Sequence, residues 1–181
     1  MPARSEQSGR EAAVTGFANE HIAVGLLMKR YQNVSLVDLP LSTYDIVIAR
    51  RMEDGSEDII RAQVKTAKTN IGFTGGERGG VDRTYRSGVK RYRQNTRTAD
   101  VVIGVHEEEN GTYSLYFVPT CLIEVLEQNS VSLRKIEFLR ENYEILERCK
   151  DVEFVLGLEE CKRLLHRRRG SNKQSNGQLH P

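Results

Sequence analysis

The sequence predicts an α/β fold: one mixed sheet of about five strands, flanked by helices, in a single domain spanning 1–169. Three observations carry this expectation. An amphipathic helical segment opens the chain, five β-type segments follow in two groups (33–66 and 100–118), and further helical segments close it. Each amphipathic helix needs a sheet face to cover, so strands and helices in this order form one layered core. A chain of 181 residues suits one such core and is short for two.

The first helix is read from NEHIAVGLLMKRY at 19–31, where Ile22, Ala23, Leu26 and Leu27 recur at helical spacing. Its start is open to extension back toward Glu11, and Lys29 and Arg30 suit the negative end of its dipole. NVSLVDLP at 33–40 is a short strand stopped by Pro40, and strands follow at 44–51 and 58–66. The glycines of NIGFTGGERGG at 70–80 predict a loop. A helix is expected over 83–97, then a buried-type strand at 100–106, a turn at Asn110-Gly111 and an alternating strand at 112–118, the last two paired as a hairpin. Pro119 suits the first turn of a helix through about Gln128, with further helices over 132–149 and 158–168. The polar tail 170–181 is expected to be disordered.

Composition excludes several classes. Cys121, Cys149 and Cys161 form no Cys-x-x-Cys pair, and an odd count without an apolar leader argues against a secreted disulfide scaffold. No run approaches the roughly 18 apolar residues of a membrane span, so the expected location is cytoplasmic, with no membrane partner. Net charge is only +2, so information about partners lies in where the charge sits. It is concentrated at 78–97, where Arg86, Lys90, Arg93 and Arg97 would form one stripe of the expected helix and Arg78, Arg83 and Arg91 add to it, against Asp82 alone. An ordinary solvated face interleaves acids with bases, and this one has none between 83 and 97, which points to a phosphate-backbone surface.

The second feature is YDIVIARRMEDGSEDIIRAQVKTAK at 44–68. Glu53-Asp54-Gly55 fits a three-residue hairpin loop closed by a left-handed glycine, which pairs Met52 with Ser56. Counting outward sets Asp45 opposite Gln63, about 5 Å apart for an opposed pair. Alternation puts Ile60, Ala62, Val64 and Thr66 on one face and Ile59, Arg61, Gln63 and Lys65 on the other, so Asp45, Gln63 and Lys65 converge. Glu20 shares a helical stripe with Val24 and Leu27 and leans toward the sheet, where its carboxylate needs Lys65 or a cation as partner. Two carboxylates, an amide oxygen and the Val64 carbonyl are hard oxygen donors of the kind that suit Mg2+. The plainer alternative has Asp45 capping the strand start and pairing with Lys65, with Gln63 facing solvent.

These residues resemble the PD-(D/E)XK nucleases, the superfamily of restriction enzymes, Holliday-junction resolvases and some homing endonucleases. Residue by residue, Asp45 matches the metal-binding Asp, Gln63 the second acidic position, Lys65 the lysine and Glu20 the helical Glu. Two positions depart from the common pattern: Thr43-Tyr44 stands where a proline often precedes the Asp, and Gln63 replaces an acid, as in the Gln-x-Lys variants of some homing and restriction endonucleases. Glutamine keeps an oxygen donor but removes a charge, which weakens metal affinity. The resemblance covers roughly 15–120. It implies a restriction-endonuclease-like sheet and a Mg2+-dependent endonuclease, with Mn2+ as substitute cation, acting on double-stranded DNA as a homodimer or homotetramer. A catalytically inactive nucleic-acid-binding module of the same fold, a resolvase and a plain interaction domain are the rivals. His21 and His106 are read as structural, His166 with Arg167, Arg168 and Arg169 as a frayed basic end, and the cysteines as bystanders.

Overall fold

The computed structural model of the chain describes residues 3–39, 42–75 and 92–166. Helix α1 spans Ala3–Met28, longer than the predicted segment because nothing after Ala3 breaks it. Ala23 and Leu27 are fully buried from this helix, and Ile22, Val24 and Leu26 pack beside them. Lys29 and Arg30 follow the last turn, and the Arg30 guanidinium lies 4.3 Å from the centre of the Tyr143 ring. Three antiparallel strands come next: β1 (Asn33–Leu36), β2 (Ile46–Arg51) and β3 (Glu57–Ala67).

The β2–β3 turn has the predicted geometry. Met52 N–H donates to the Ser56 carbonyl at 2.8 Å, and Gly55 N–H to the Met52 carbonyl at 3.0 Å. Gly55 has φ +83°, a conformation that costs other residues about 1 kcal/mol or more. The Asp54 carboxylate accepts from the Ser56 amide and hydroxyl, closing the loop. The pairing runs from Arg51 opposite Glu57 to Ile46 opposite Ala62.

Differences from expectation begin at residue 70. The loop predicted over 70–80 contains β4 (Asn70–Gly72) and β5 (Thr74–Gly75); residues 76–80 lie outside the described residues. Ile71 and Phe73, both fully buried, draw the glycine-rich chain onto the core. The helix predicted over 83–97 is a second correction in its described part, 92–97. Tyr92–Arg93 form β6, paired with β5, and a turn follows at 96–98. Asn95 Oδ1 accepts from the Arg97 amide at 2.9 Å, and the Thr98 hydroxyl bonds back to residues 94 and 95. Such local side-chain bonds compete with helix formation. Arg93 and Arg97 therefore do not occupy a helical stripe; Arg78, Arg83, Arg86, Lys90 and Arg91 lie outside the described residues.

The strands β7 (Val101–Glu107) and β8 (Tyr113–Pro119) form the predicted hairpin, with Gly111 at φ +78°. Pro119 ends β8 and caps α2 (Thr120–Leu126). The helix predicted over 132–149 is instead broken into pieces: β9 (Ser130–Ser132), 3-10 turns at Leu133–Lys135 and Glu137–Leu139, and α3 (Tyr143–Glu147). The left-handed backbone of Glu141, φ 49°, stops any helix from running through. A further helix, α4 (Val152–Gly157), precedes helical residues 159–166; the tail 170–181 lies outside the described residues.

The main sheet has five strands in the order β1-β2-β3-β7-β8, antiparallel except for the parallel pair β3–β7. This is the predicted mixed α/β sheet flanked by helices. One face packs Ile46, Ile48, Ile60, Ala62 and Val64 against α1; the other packs Val102 and Val118 against α2 and the chain after it. Cys121, Cys149 and Cys161 are free and buried. Among the described residues no helix is long and apolar enough to cross a membrane.

Gly104 of β7 lets β4 lie against the sheet, since a Cβ there would sit 2.5 Å from Ile71 Cδ1 and 3.2 Å from Ala67 Cβ. Gly104→Ala is expected to lower the unfolding free energy by about 1–3 kcal/mol, an overpacking cost. Urea denaturation checks this, and unchanged stability would mean that Ile71 repacks freely.

Candidate active site

Beyond Ile46 the strand β2 ends while β3 runs on to Ala67, so the last residues of β3 have an open side. Asp45 N–H still donates to the Ala62 carbonyl at 2.9 Å, which keeps Asp45 against β3 just past the Ile46–Ala62 pair. The Asp45 carboxylate turns into the gap, where Oδ2 accepts from the Val64 amide at 2.8 Å and from Gln63 Nε2. A strand residue's N–H and C=O point to the same side, so the Val64 carbonyl faces the same gap. Gln63 Nε2 lies 3.3 Å from it.

Lys65 is on the Gln63 face by alternation and is coupled electrostatically to both Asp45 and Glu20. Burial pushes its ammonium pKa down, and the two carboxylates oppose that shift. For Asp45, burial raises the pKa, opposed by the Val64 amide and Lys65. Glu20, on the sheet-facing side of α1, is pushed up to about 7 from 4.5, first by burial and then by the negative charge of Asp45, against smaller opposing effects of His21 and Lys65. The neighbouring Asn19 anchors the helix here: its amide donates to the Thr66 hydroxyl at 2.8 Å. The structure thus joins Asp45, Gln63 and Val64 by hydrogen bonds and sets Lys65 and Glu20 within electrostatic reach of them, all of them singled out in the sequence.

Gln94 was not among the sequence candidates. It is fully buried, and its Nε2 donates to Gln63 Oε1 at 3.2 Å. The Thr98 hydroxyl donates to Gln94 Oε1 at 2.5 Å. Arg61 holds this segment by donating to the carbonyls of Thr96 and Arg97 at 3.0 and 3.3 Å and to the buried Asp100 carboxylate at 2.7 Å. The Thr43 hydroxyl donates to the Thr98 carbonyl at 2.6 Å, tying the segment to the chain just before Asp45. No spacing rule links Gln94 to Gln63, because only the folded β5–β6 pair brings them into contact.

Two carboxylates against one lysine leave the cluster one negative charge in excess when all are ionised, and the repulsion shows in the raised Glu20 pKa. Among the described residues no three His, Cys, Asp or Glu side chains gather into a metal-binding group. The oxygen donors here are two carboxylates and a main-chain carbonyl, beside the Gln63 amide, which presents Nε2 to Asp45 and Oε1 to Gln94. Such a set fits a hard divalent cation that keeps several waters, as Mg2+ does. Two histidines have main-chain partners: His21 Nδ1 lies 2.9 Å from the Phe17 carbonyl and His106 Nδ1 2.8 Å from that of Ala67.

The Glu20 shift has a consequence for stability. Between about 4.5 and 7 the folded protein holds a proton that the unfolded chain releases, so Glu20 contributes stability that is full below 4.5 and lost as pH rises through about 7. Without divalent cations the loss is expected to be on the order of 1 kcal/mol after solvent screening. Glu20→Gln should lack this component, giving a flatter stability profile between about pH 5 and pH 8 in thermal unfolding; parallel profiles would refute the assignment.

No protein-family model matches the chain, and no curated protein matches it significantly. Among solved structures, the bacterial homing endonuclease I-Ssp6803I is similar, with a TM-score of 0.51 and 15% sequence identity over 74% of this chain and 91% of that one. At that identity the likeness is one of fold: this chain has the fold of a bacterial homing endonuclease.

Proposed function

We propose that the chain is a metal-dependent endonuclease that hydrolyses phosphodiester bonds in double-stranded DNA at particular sites. What supports this reading is the Asp45 carboxylate bonded to Gln63 and the Val64 amide where β2 gives out, with Lys65 and Glu20 in electrostatic reach, in a fold like that of a homing endonuclease. The Gln-x-Lys form of the PD-(D/E)XK pattern names the same four side chains. Asp45 and Glu20 would hold Mg2+, or Mn2+ in its place, directly or through water, with Gln63 Oε1 and the Val64 carbonyl as neutral donors. Held there, the cation supplies electrophilic stabilisation of the phosphate oxygens and acidifies water.

The remaining work falls to the chain's own groups. Lys65, partly desolvated and within electrostatic reach of the two carboxylates, orients the attacking water and offsets negative charge developing on the phosphate. Arg93 and Arg97 flank Gln94 in sequence, so their charges lie on the segment that backs the site, and Arg97 is exposed. With Arg78, Arg83, Arg86 and Lys90 they supply the proposed contacts to the DNA backbone. Cutting both strands of a duplex calls for two such sites, which makes a homodimer or homotetramer the proposed assembly.

Supercoiled plasmid with Mg2+ or Mn2+ tests the reading. Wild type should nick or linearise it, and Asp45→Ala or Lys65→Ala should slow cleavage at least ~100-fold while DNA binding persists. Plasmid equally intact with all three proteins, with binding retained, would instead identify a nucleic-acid-binding module. Replacing Arg93 and Arg97 together by alanine is expected to weaken binding and reduce the slope of log K against log salt by about 2. An unchanged slope would remove these arginines from the interface.

A further inference from the structure

We propose that Gln94 and Thr98 are positioning residues that set which end of the Gln63 amide faces the cation, through a hydrogen-bond relay that turns over when the cation binds. The inference rests on the metal-binding reading of the site and adds to it the control of its weakest ligand.

Gln63 as it stands is turned away from that task. Its Nε2 donates to Asp45 and lies near the Val64 carbonyl, while its Oε1 accepts from Gln94 Nε2 at 3.2 Å. An N–H group pointing at the cation position repels a cation, so ligation requires the amide to rotate by half a turn. Rotated alone, Gln63 would set its Nε2 against Gln94 Nε2, two donors face to face inside a buried contact. Gln94 must rotate with it.

The surroundings permit that second rotation because Thr98 is a hydroxyl. In the present arrangement Thr98 Oγ1 donates to Gln94 Oε1 at 2.5 Å and accepts from the Asn95 amide at 2.9 Å. The Asn95 carbonyl is also within reach of the same hydroxyl, at 2.9 Å. After rotation Gln94 Oε1 accepts from Gln63 Nε2, Gln94 Nε2 donates to Thr98 Oγ1, and the hydroxyl proton moves to the Asn95 carbonyl. Gln63 Nε2, both ends of the Gln94 amide and Thr98 Oγ1 each keep a hydrogen-bond partner, while Gln63 Oε1 now faces Asp45 Oδ2 and the Val64 carbonyl, an acceptor among acceptors that only a cation between them would satisfy. The relay sits in a rigid frame: Gln94 N–H donates to the Phe73 carbonyl at 2.8 Å, and Thr43 holds the Thr98 carbonyl.

An acid at position 63 would need no such relay, because both of its oxygens ligate. The glutamine makes the orientation a variable, and the buried Gln94 supplies the group that sets it.

The test uses Mg2+ alone, without DNA. In isotope-labelled wild-type protein, the side-chain amide resonances of Gln63 and Gln94 are expected to shift together as Mg2+ is added. Gln94→Met and Thr98→Val should each weaken Mg2+ binding about tenfold, as loss of a group supporting a ligand does, while Gln94→Glu, which keeps an acceptor toward Gln63, should retain it. Circular dichroism confirms that each variant is folded, and the wild-type titration stands without any of them. If Gln63 responds while Gln94 does not, or if folded Gln94→Met and Thr98→Val both bind Mg2+ like wild type, the relay is overturned and the metal site survives. If wild type shows no saturable Mg2+ binding that Asp45→Asn abolishes, the metal-dependent reading falls and the relay falls with it.

Discussion

The left-handed backbone of Gly55 decides where β2 and β3 meet, and nearly everything at the site depends on that register. A three-residue turn pairs Met52 with Ser56, and six pairs further on Ile46 stands opposite Ala62. Asp45 then sits beside Gln63 and the Val64 amide, at the point where the partner strand ends. Moving the register by one residue would send Gln63 and Lys65 to the α1 face and bring Val64 out of the core. The buried run Ile60, Ala62 and Val64 opposes such a slip, so the core and the turn hold the site in place together.

The electrostatics follow from this placement. Desolvation raises the carboxylate pKa values of Glu20 and Asp45 and lowers that of Lys65, so each charged group is held at a cost that its neighbours only partly offset. The cluster has an excess negative charge, and the Asp45 carboxylate and the Val64 carbonyl face a shared gap. A cation would relieve the repulsion between the carboxylates, which gives the metal-binding reading a physical basis separate from the resemblance. The Arg61–Asp100 pair has a different task. Bonded side chain to side chain and through the Arg61 amide, it fixes the segment 94–100 against β3 and so holds Gln94 behind Gln63.

Much of this was legible in the residues themselves. The five strands of the main sheet, the β7–β8 hairpin, the Gly55 turn and the shared face of Gln63 and Lys65 beside Asp45 follow from alternation and turn chemistry, which act within a few residues. Glu20 was legible for the same reason, through its helical stripe with Val24 and Leu27. The predictions failed where local signals conflicted with packing. Glycines in 70–75 read as a loop, yet burial of Ile71 and Phe73 makes short strands of that stretch. A basic, tyrosine-containing segment read as a helix to residue 97, yet pairing with β5 and the Asn95 and Thr98 side-chain bonds give it a strand and a turn.

By itself, then, the sequence determined the strand periodicity, the hairpin register and the group of polar residues that register assembles, because each depends on neighbours close along the chain. Tertiary structure alone decided the placement of Gln94 and Thr98 behind Gln63, the clamp of Arg61 on Asp100 and the raised pKa of Glu20. Those contacts join segments some thirty to forty residues apart at Gln63–Gln94 and Arg61–Asp100. Distances of that kind are set by how the sheet and its flanking pieces bury their apolar faces, and no local pattern of residues encodes them.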